Sequence, residues 1–493
     1  MESRVAKRRQ RPKPFLFPEF CKGCGRCIEA CRFGCIQEGT EINPETGLIP
    51  IQLDLEKCSG CGLCISACPE PFGLHARVVD VDEIDNEALE GVHSFQELVE
   101  VFDKADYELE DPSDLFGPRE TAAPEPESIP DTWVDFAHDE PLVLKGNYAS
   151  AVGAILSGCR HVYGYPITPS TEGAELMAKL QPLMKGVFFQ AVSEVATVNM
   201  MYGTGGAGLP CMTFTSSPGF SLMLEGVSYM VGAEVPGVFV NVMRGGPGLG
   251  NIAPEQSDIK LACRGLGHGN SHAIVLAPST PQEMLDLTML AFELTFKYRN
   301  PVVILGDGYL GQMTGRVNLP EKMKKPGIPE WAVYGDLSHR GNLICSIALS
   351  EAELEAHNIH LNAKYEEMKA NEQRADLFFT DDAEVLVVAV TTPARMAKGA
   401  VQELRDQGIK AGLFRPMTVW PFPIDLLKPL LPNTRRVVVV EASNGQLEDE
   451  LRLALSNAGE KPPTIDHVRR FGGILPQQGE IVEAVLAGEE VAK

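Results

Sequence analysis

The chain has 493 residues, 44% of them hydrophobic, and a formal net charge of −24. That length argues for two to four domains with real cores. No apolar run approaches the ~20 residues of a membrane-crossing helix, and so acidic a surface excludes nucleic acid as a partner because it repels phosphate.

The stretch MESRVAKRRQRPK (residues 1–13) is basic but lacks the apolar centre of a secretory leader, and reads as a flexible arm. Nine of the thirteen cysteines follow within the first 68 residues. Cys21, Cys24, Cys27 and Cys31 form C-x2-C-x2-C-x3-C. Cys58, Cys61, Cys64 and Cys68 repeat it, and Pro69 follows. Three thiolates spaced in this way wrap one corner of an iron–sulfur cube, and the fourth reaches across to the other cube. The spacing predicts one [4Fe–4S] cluster on Cys21, Cys24, Cys27 and Cys68, and a second on Cys58, Cys61, Cys64 and Cys31. Zinc ribbons use paired cysteines rather than triplets, and disulfides require an oxidising compartment. Gly23, Gly25, Gly60 and Gly62 permit tight turns that aim amide N–H groups at sulfur. The first run ends Cys31-Arg32 rather than in the usual Cys-Pro. Cys35 is left over and reads as a buried or spare thiol. Residues 15–78 are thus predicted to be a two-cluster ferredoxin-like domain, and its free thiols place the chain in a reducing, anaerobic cytoplasm.

Residues 79–141 are rich in Asp, Glu and Pro and read as a solvated linker. From Leu142 the texture becomes strand–helix alternation. Apolar strands HVYGYPIT, GVFFQAV, PCMTFTSS, GVFVNVM, HAIVLA and PVVILGD are separated by helical runs such as ASAVGAILSGC and TEGAELMAKL. Continuous apolar strands with crossover helices predict a parallel sheet covered on both faces. This α/β domain spans 142–315, a polar connecting segment runs 316–380, and a second α/β domain occupies 381–485. The strands of the second domain are EVLVVAV, IKAGLF and RVVVVEA.

Three segments carry chemistry. In Tyr165-Pro166-Ile167-Thr168-Pro169-Ser170-Thr171 a strand ends and a helix begins, and Pro169 fixes the direction of the chain. Ligands gather at such strand ends, which gives Thr168 a place facing the crevice, although a simple helix cap explains the motif equally well. Glu194 opens a helix of small residues, where a carboxylate is ordinarily a dipole or capping group. Arg244 leaves a buried strand and enters the loop GGPGLGN. Arginine suits a carboxylate ligand, and a salt bridge to Asp258 or Glu255 is the structural rival.

The succession YPITPST, SEVA, PGVFVNVMRGGPGLGN resembles the alpha subunit of thiamine-diphosphate-dependent 2-oxoacid:ferredoxin oxidoreductases, over nearly all of residues 142–485. RPMTVWPFP (415–423) and VVVVEASNGQLEDEL (437–451) resemble the second domain of that family. MRGGPGLGNIAPEQSD and KYRNPVVILGDGYLGQM resemble the 2-ketoisovalerate branch most, and YPITPST leans equally toward the 2-oxoglutarate branch. The usual alpha subunit lacks a ferredoxin unit, so the chain resembles a fusion of alpha and delta subunits.

The resemblance implies a fold of three parts: a bacterial-type two-[4Fe–4S] ferredoxin domain, a pyrimidine-type thiamine-diphosphate-binding α/β domain and a transketolase C-terminal-like α/β domain. It implies that Glu194 contacts the pyrimidine ring and activates the cofactor, that Arg244 binds the substrate carboxylate, and that Thr168 contacts substrate and cofactor. The implied reaction is oxidative decarboxylation of a 2-oxoacid, with two electrons passing singly into the clusters and the acyl group going to coenzyme A.

Gly306-Asp307-Gly308 looks like the start of a diphosphate–Mg²⁺ motif, but no asparagine pair follows, so it reads as a strand-end turn. The diphosphate and its Mg²⁺ are therefore expected on a partner beta subunit, coenzyme A on a gamma subunit, and the electrons at ferredoxin or a flavin/NAD-linked acceptor subunit. Two rivals stand beside this reading. One is an electron-transfer and docking subunit with a catalytically silent thiamine fold. The other, a non-redox transketolase-like enzyme, leaves the eight cluster cysteines unexplained.

Overall fold

The computed structural model describes residues 13–44, 46–69, 73–77, 132–135, 140–336, 338–339 and 341–491. The basic arm and nearly all of the acidic linker lie outside these residues. The chain divides into two compact units, residues 1–122 and 123–493.

In the first unit β1 (Lys13–Leu16) pairs antiparallel with β4 (Leu74–Arg77), and β2 (Ile36–Glu38) with β3 (Ile51–Leu53). Two five-residue helices, Arg26–Ala30 and Leu63–Ala67, link β1 to β2 and β3 to β4. Each is preceded by a glycine in the left-handed region, Gly25 at φ 75° and Gly62 at φ 76°. Glycine alone reaches that conformation without strain, so the doubled cysteine motif folds as two copies of one turn.

In the second unit β5 (Thr132–Asp135) pairs with β14 (Lys322–Lys325), and β6 (Leu142–Lys145) with β13 (Thr314–Val317). The main sheet contains β7 (His161–Gly164), β8 (Val187–Gln190), β9 (Cys211–Thr215), β10 (Gly237–Met243), β11 (Ile274–Leu276), β12 (Pro301–Asp307) and β18 (Thr418–Trp420), in the order β18-β11-β12-β10-β9-β7-β8. Every residue of β9, β10 and β12 is buried, as their unbroken apolar runs require when helices cover both faces. The second sheet holds β15 (Ala375–Phe378), β16 (Val385–Val388), β17 (Ala411–Pro416), β19 (Arg436–Glu441) and β20 (Thr464–Arg469), ordered β15-β17-β16-β19-β20.

The two α/β domains interlock. β15 comes from the stretch read as a connecting segment and completes the edge of the second sheet. β18 leaves the second domain and pairs antiparallel with β11 of the first. Among the described residues no helix is long and apolar enough to cross a membrane.

Candidate functional site

In the first unit seven of the eight predicted cluster cysteines lie in two neighbourhoods. Burial pushes the Cys27 thiol up to about 11, and the neighbouring thiols that add to the shift are Cys21, Cys68 and Cys24. Burial likewise raises Cys64, whose thiol neighbours are Cys58 and Cys31. Each buried cysteine thus has the fourth cysteine of the other run beside it. Backbone N–H groups point at sulfur: Cys35 donates to Cys31 Sγ at 3.3 Å, Gly60 to Cys58 Sγ at 3.4 Å and Ile51 to Cys21 Sγ at 3.5 Å. Burial opposes ionisation of Cys31, but the backbone amides of Phe33, Cys35 and Ile36 hold its pKa below the ordinary thiol value. Cys24 and Cys61 are exposed. Cys35 lies in the small apolar core with Ile36, Ile51 and Leu74, and burial pushes its thiol up to about 11. Seven of the eight thiols fall into two intermixed groups, with amide donors aimed at three of them, and this fits a pair of cubes, with the exposed Cys61 free to join the second.

In the second unit the C-terminal ends of β7, β8, β9 and β10 converge. Connections leave β7 toward one side of the sheet and β9 toward the other, so this is the switch point where open α/β sheets accept ligands. Glu194, 5% exposed, is the first residue of the helix Glu194–Gly206. The cap is Ser193, whose Oγ accepts from Ala196 N at 3.2 Å. The ordinary reading of Glu194 as a cap is thereby taken by its neighbour.

Among the described residues no hydrogen bond engages the Glu194 carboxylate. It lies against Gly219, where an added Cβ would stand 2.6 Å from Glu194 Oε1 and 2.5 Å from Thr215 Oγ1. Thr215 Oγ1 is itself buried without a partner. Two unengaged polar groups over a bare glycine fit the pyrimidine half of thiamine diphosphate, which needs a carboxylate at a ring nitrogen. Thr215 and Gly219 were passed over in the sequence. TFTSSPG has the strand-end, helix-start form of YPITPST, which was the available signal.

Thr168 is exposed, and its carbonyl accepts from Arg244 Nη1 at 2.8 Å. Arg244 Nη2 donates to Leu249 O at 3.2 Å, and its Nε is buried with no partner. The guanidinium thus ties the Thr168 turn to the glycine loop and retains donors for a further acceptor. Pro169 O accepts from Asn147 Nδ2 at 2.8 Å, which pins the other side of the turn. Neither carboxylate rival engages Arg244. Glu255 accepts from Gly246 N at 3.0 Å, and Asp258 accepts from Asn241 Nδ2 at 2.9 Å. Burial raises the pKa of Asp258, against the pull of Ser217, Asn241 and Ser257.

Asp307 is fully buried at the end of β12. Its Oδ1 accepts from Tyr309 N at 3.1 Å and Leu310 N at 3.0 Å, capping a short helix. Thr392 of the second domain donates to both of its oxygens. Four donors of this chain thus engage the carboxylate, three at Oδ1 and one at Oδ2.

Comparison with known proteins finds three family matches along the chain. Residues 152–377 match the family described as "Pyruvate flavodoxin/ferredoxin oxidoreductase, thiamine diP-bdg". Residues 383–481 match "Pyruvate:ferredoxin oxidoreductase core domain II", and residues 20–71 match "4Fe-4S dicluster domain". The chain is 44% identical over 344 residues to ketoisovalerate oxidoreductase subunit VorB of Methanothermobacter thermautotrophicus, covering 70% of this chain and 96% of the relative. It is 35% identical over 366 residues to 2-oxoglutarate synthase subunit KorA of Methanocaldococcus jannaschii, covering 70% and 98%. The solved 2-oxoglutarate:ferredoxin oxidoreductase of Magnetococcus marinus, with 2-oxoglutarate, coenzyme A and succinyl-CoA bound, superposes with a TM-score of 0.62 at 25% identity, covering 82% of this chain and 73% of that chain. A thiamine-diphosphate-binding domain, its companion core domain and a dicluster domain on one chain make this protein a member of the 2-oxoacid:ferredoxin oxidoreductase family, a subunit that carries its own [4Fe–4S] ferredoxin domain.

Proposed function

We propose that this subunit supplies the pyrimidine-side carboxylate, the substrate clamp and the first electron acceptors for CoA-dependent oxidative decarboxylation of a 2-oxoacid. The observation that carries the reading is the Glu194 carboxylate, buried, uncapped and pressed against Gly219. When bound, thiamine diphosphate supplies the carbon nucleophile and the electron sink. Glu194 holds a proton at the pyrimidine ring, Arg244 takes the substrate carboxylate through its unused N–H donors, and Thr168 borders both. The first cluster rests on Cys21, Cys24, Cys27 and Cys68, and the second on Cys58, Cys61, Cys64 and Cys31, the grouping that the thiol neighbourhoods support.

The engagement of Asp307 by four donors of its own chain supports a diphosphate and Mg²⁺ site on a beta subunit. Exposed apolar side chains around the strand ends support such a partner there: Val192 is 88% exposed, Leu249 85% and Leu222 55%. A gamma subunit for coenzyme A and a ferredoxin or flavin/NAD-linked acceptor complete the complex, in the cytoplasm. The higher identity to the ketoisovalerate enzyme favours a branched-chain 2-oxoacid over 2-oxoglutarate. The purified complex, assayed for carbon dioxide release and viologen reduction on both substrates, tests this. Glu194→Gln should abolish turnover at unchanged iron content. Full turnover in that variant would instead leave a docking subunit with a silent thiamine fold.

A further inference from the structure

The second sheet has its own switch point, between the C-terminal ends of β16 and β19, where connections depart in opposite directions. That crevice is filled from the first domain by Gln256. Its backbone N–H donates to Ala442 O at 2.8 Å and its Oε1 accepts from Ala442 N at 2.6 Å. Its Nε2 donates to Val390 O at 3.0 Å and to Thr391 Oγ1 at 2.9 Å. One side chain, 0% exposed, thus bridges the ends of two adjacent strands and engages both ends of its amide. A crevice closed in this way takes no ligand.

The loop that carries Gln256 begins at Arg244. Gly245 N donates to Ala253 O at 3.0 Å, and an isolated bridge joins Arg244 to Pro254, so the glycine loop is a closed hairpin. Its returning limb is held by the second domain at successive points. Gln446 Nε2 donates to Ser257 O at 2.7 Å, and Lys260 N donates to Gln446 Oε1 at 2.8 Å. Ser257 Oγ in turn donates to Arg244 O at 3.1 Å. Between Arg244 and the second domain there are therefore only two steps, each a hydrogen bond between buried or half-buried groups.

We infer that Gln256 is a positioning residue: by plugging the switch point of the second sheet it sets the loop that aims Arg244, so the second domain acts on substrate binding through this side chain. The inference rests on the reading of Arg244 as the carboxylate clamp. A guanidinium displaced by a fraction of an ångström binds its carboxylate less well but leaves Glu194 and the clusters untouched, so the effect falls on substrate affinity.

The test uses the purified complex with Gln256→Met, which keeps the length and removes both amide functions, and Gln256→Glu, which keeps the acceptor for Ala442 N but sets an oxygen against Val390 O. Each is compared with wild type and Arg244→Lys for KM and kcat on 2-ketoisovalerate and 2-oxoglutarate. The expected result is a KM raised about tenfold or more in both Gln256 variants, the scale of losing a buried amide's partners, with kcat changed less than about threefold and iron content unchanged. An unchanged KM in folded Gln256→Met, beside a raised KM in Arg244→Lys, overturns this inference alone. An unchanged KM in Arg244→Lys overturns the clamp reading, and this inference with it. If both Gln256 variants fail to assemble, Gln256→Asn, which keeps the amide but shortens its reach to Val390, Thr391 and Ala442, decides: a raised KM supports the inference and wild-type KM overturns it.

Discussion

The Asp307 carboxylate and Thr392 are joined twice, the N–H of Thr392 donating to Oδ2 at 3.0 Å and its hydroxyl to Oδ1 at 2.7 Å. The same carboxylate caps the helix that follows β12, so one buried side chain fastens the second α/β domain to the first. In Asp307→Asn either orientation of the amide sets an NH₂ against a backbone N–H. We expect a loss of about 2–3 kcal/mol, the cost of leaving buried donors unmatched, read as a lower urea midpoint with iron content unchanged.

The grouping of the eight thiols separates two ligation schemes. A double variant, Cys27→Ser with Cys68→Ser, removes two ligands from one cube if the runs cross, and one from each cube if they do not. The crossed arrangement predicts that about four irons per chain remain and that one cluster signal persists in the electron paramagnetic resonance spectrum after dithionite. Loss of both signals refutes it.

Gly219 stands where a methyl group would meet both Glu194 Oε1 and Thr215 Oγ1. Alanine is ordinarily the better helix residue by roughly 0.5–1 kcal/mol. Gly219→Ala should nonetheless weaken thiamine diphosphate binding by at least about tenfold, a shift of some 1.4 kcal/mol, measured by titration calorimetry on the folded complex. Binding at wild-type strength would remove Gly219 from the site.

His272 lies flat on Trp420 with ring centroids 4.7 Å apart, and its edge meets Tyr365. Burial, with Arg264 and Lys369 adding, lowers its pKa to about 4. The folded state therefore favours the neutral ring more than the unfolded chain does, where the value is near 6.5. This contribution, about 3 kcal/mol at most, is fully present above pH ~6.5 and is lost as the pH falls toward 4. Urea midpoints of wild type should fall across that window. Those of His272→Phe, which preserves the stack without the charge, should fall less steeply.

The cysteine runs were legible because ligand spacing is local and the glycines beside each triplet have one structural use. The buried strands were legible because burial on both faces leaves an unbroken apolar run. β20, TIDHVR, was not, since it is an edge strand with none of its six residues fully buried. β18 was hidden for a different reason: three residues beside prolines complete another domain's sheet, a fact visible only in three dimensions. Glu194 stood out only through family resemblance, because a carboxylate at a helix start has a commonplace explanation until Ser193 is seen to take that role. Gln256 gave no signal at all, as its partner Ala442 lies 186 residues away.

The insertion of Thr418–Trp420 beside Ile274–Leu276 has a consequence for biosynthesis. The flank of β11 stays bare while the ribosome adds roughly 140 further residues, a wait on the order of ten seconds at ordinary elongation rates. Through that interval the nascent polypeptide presents an apolar ribbon with unpaired amides to its surroundings. Quality-control factors that shield such ribbons should matter more for the yield of this subunit than for proteins whose sheets close in chain order.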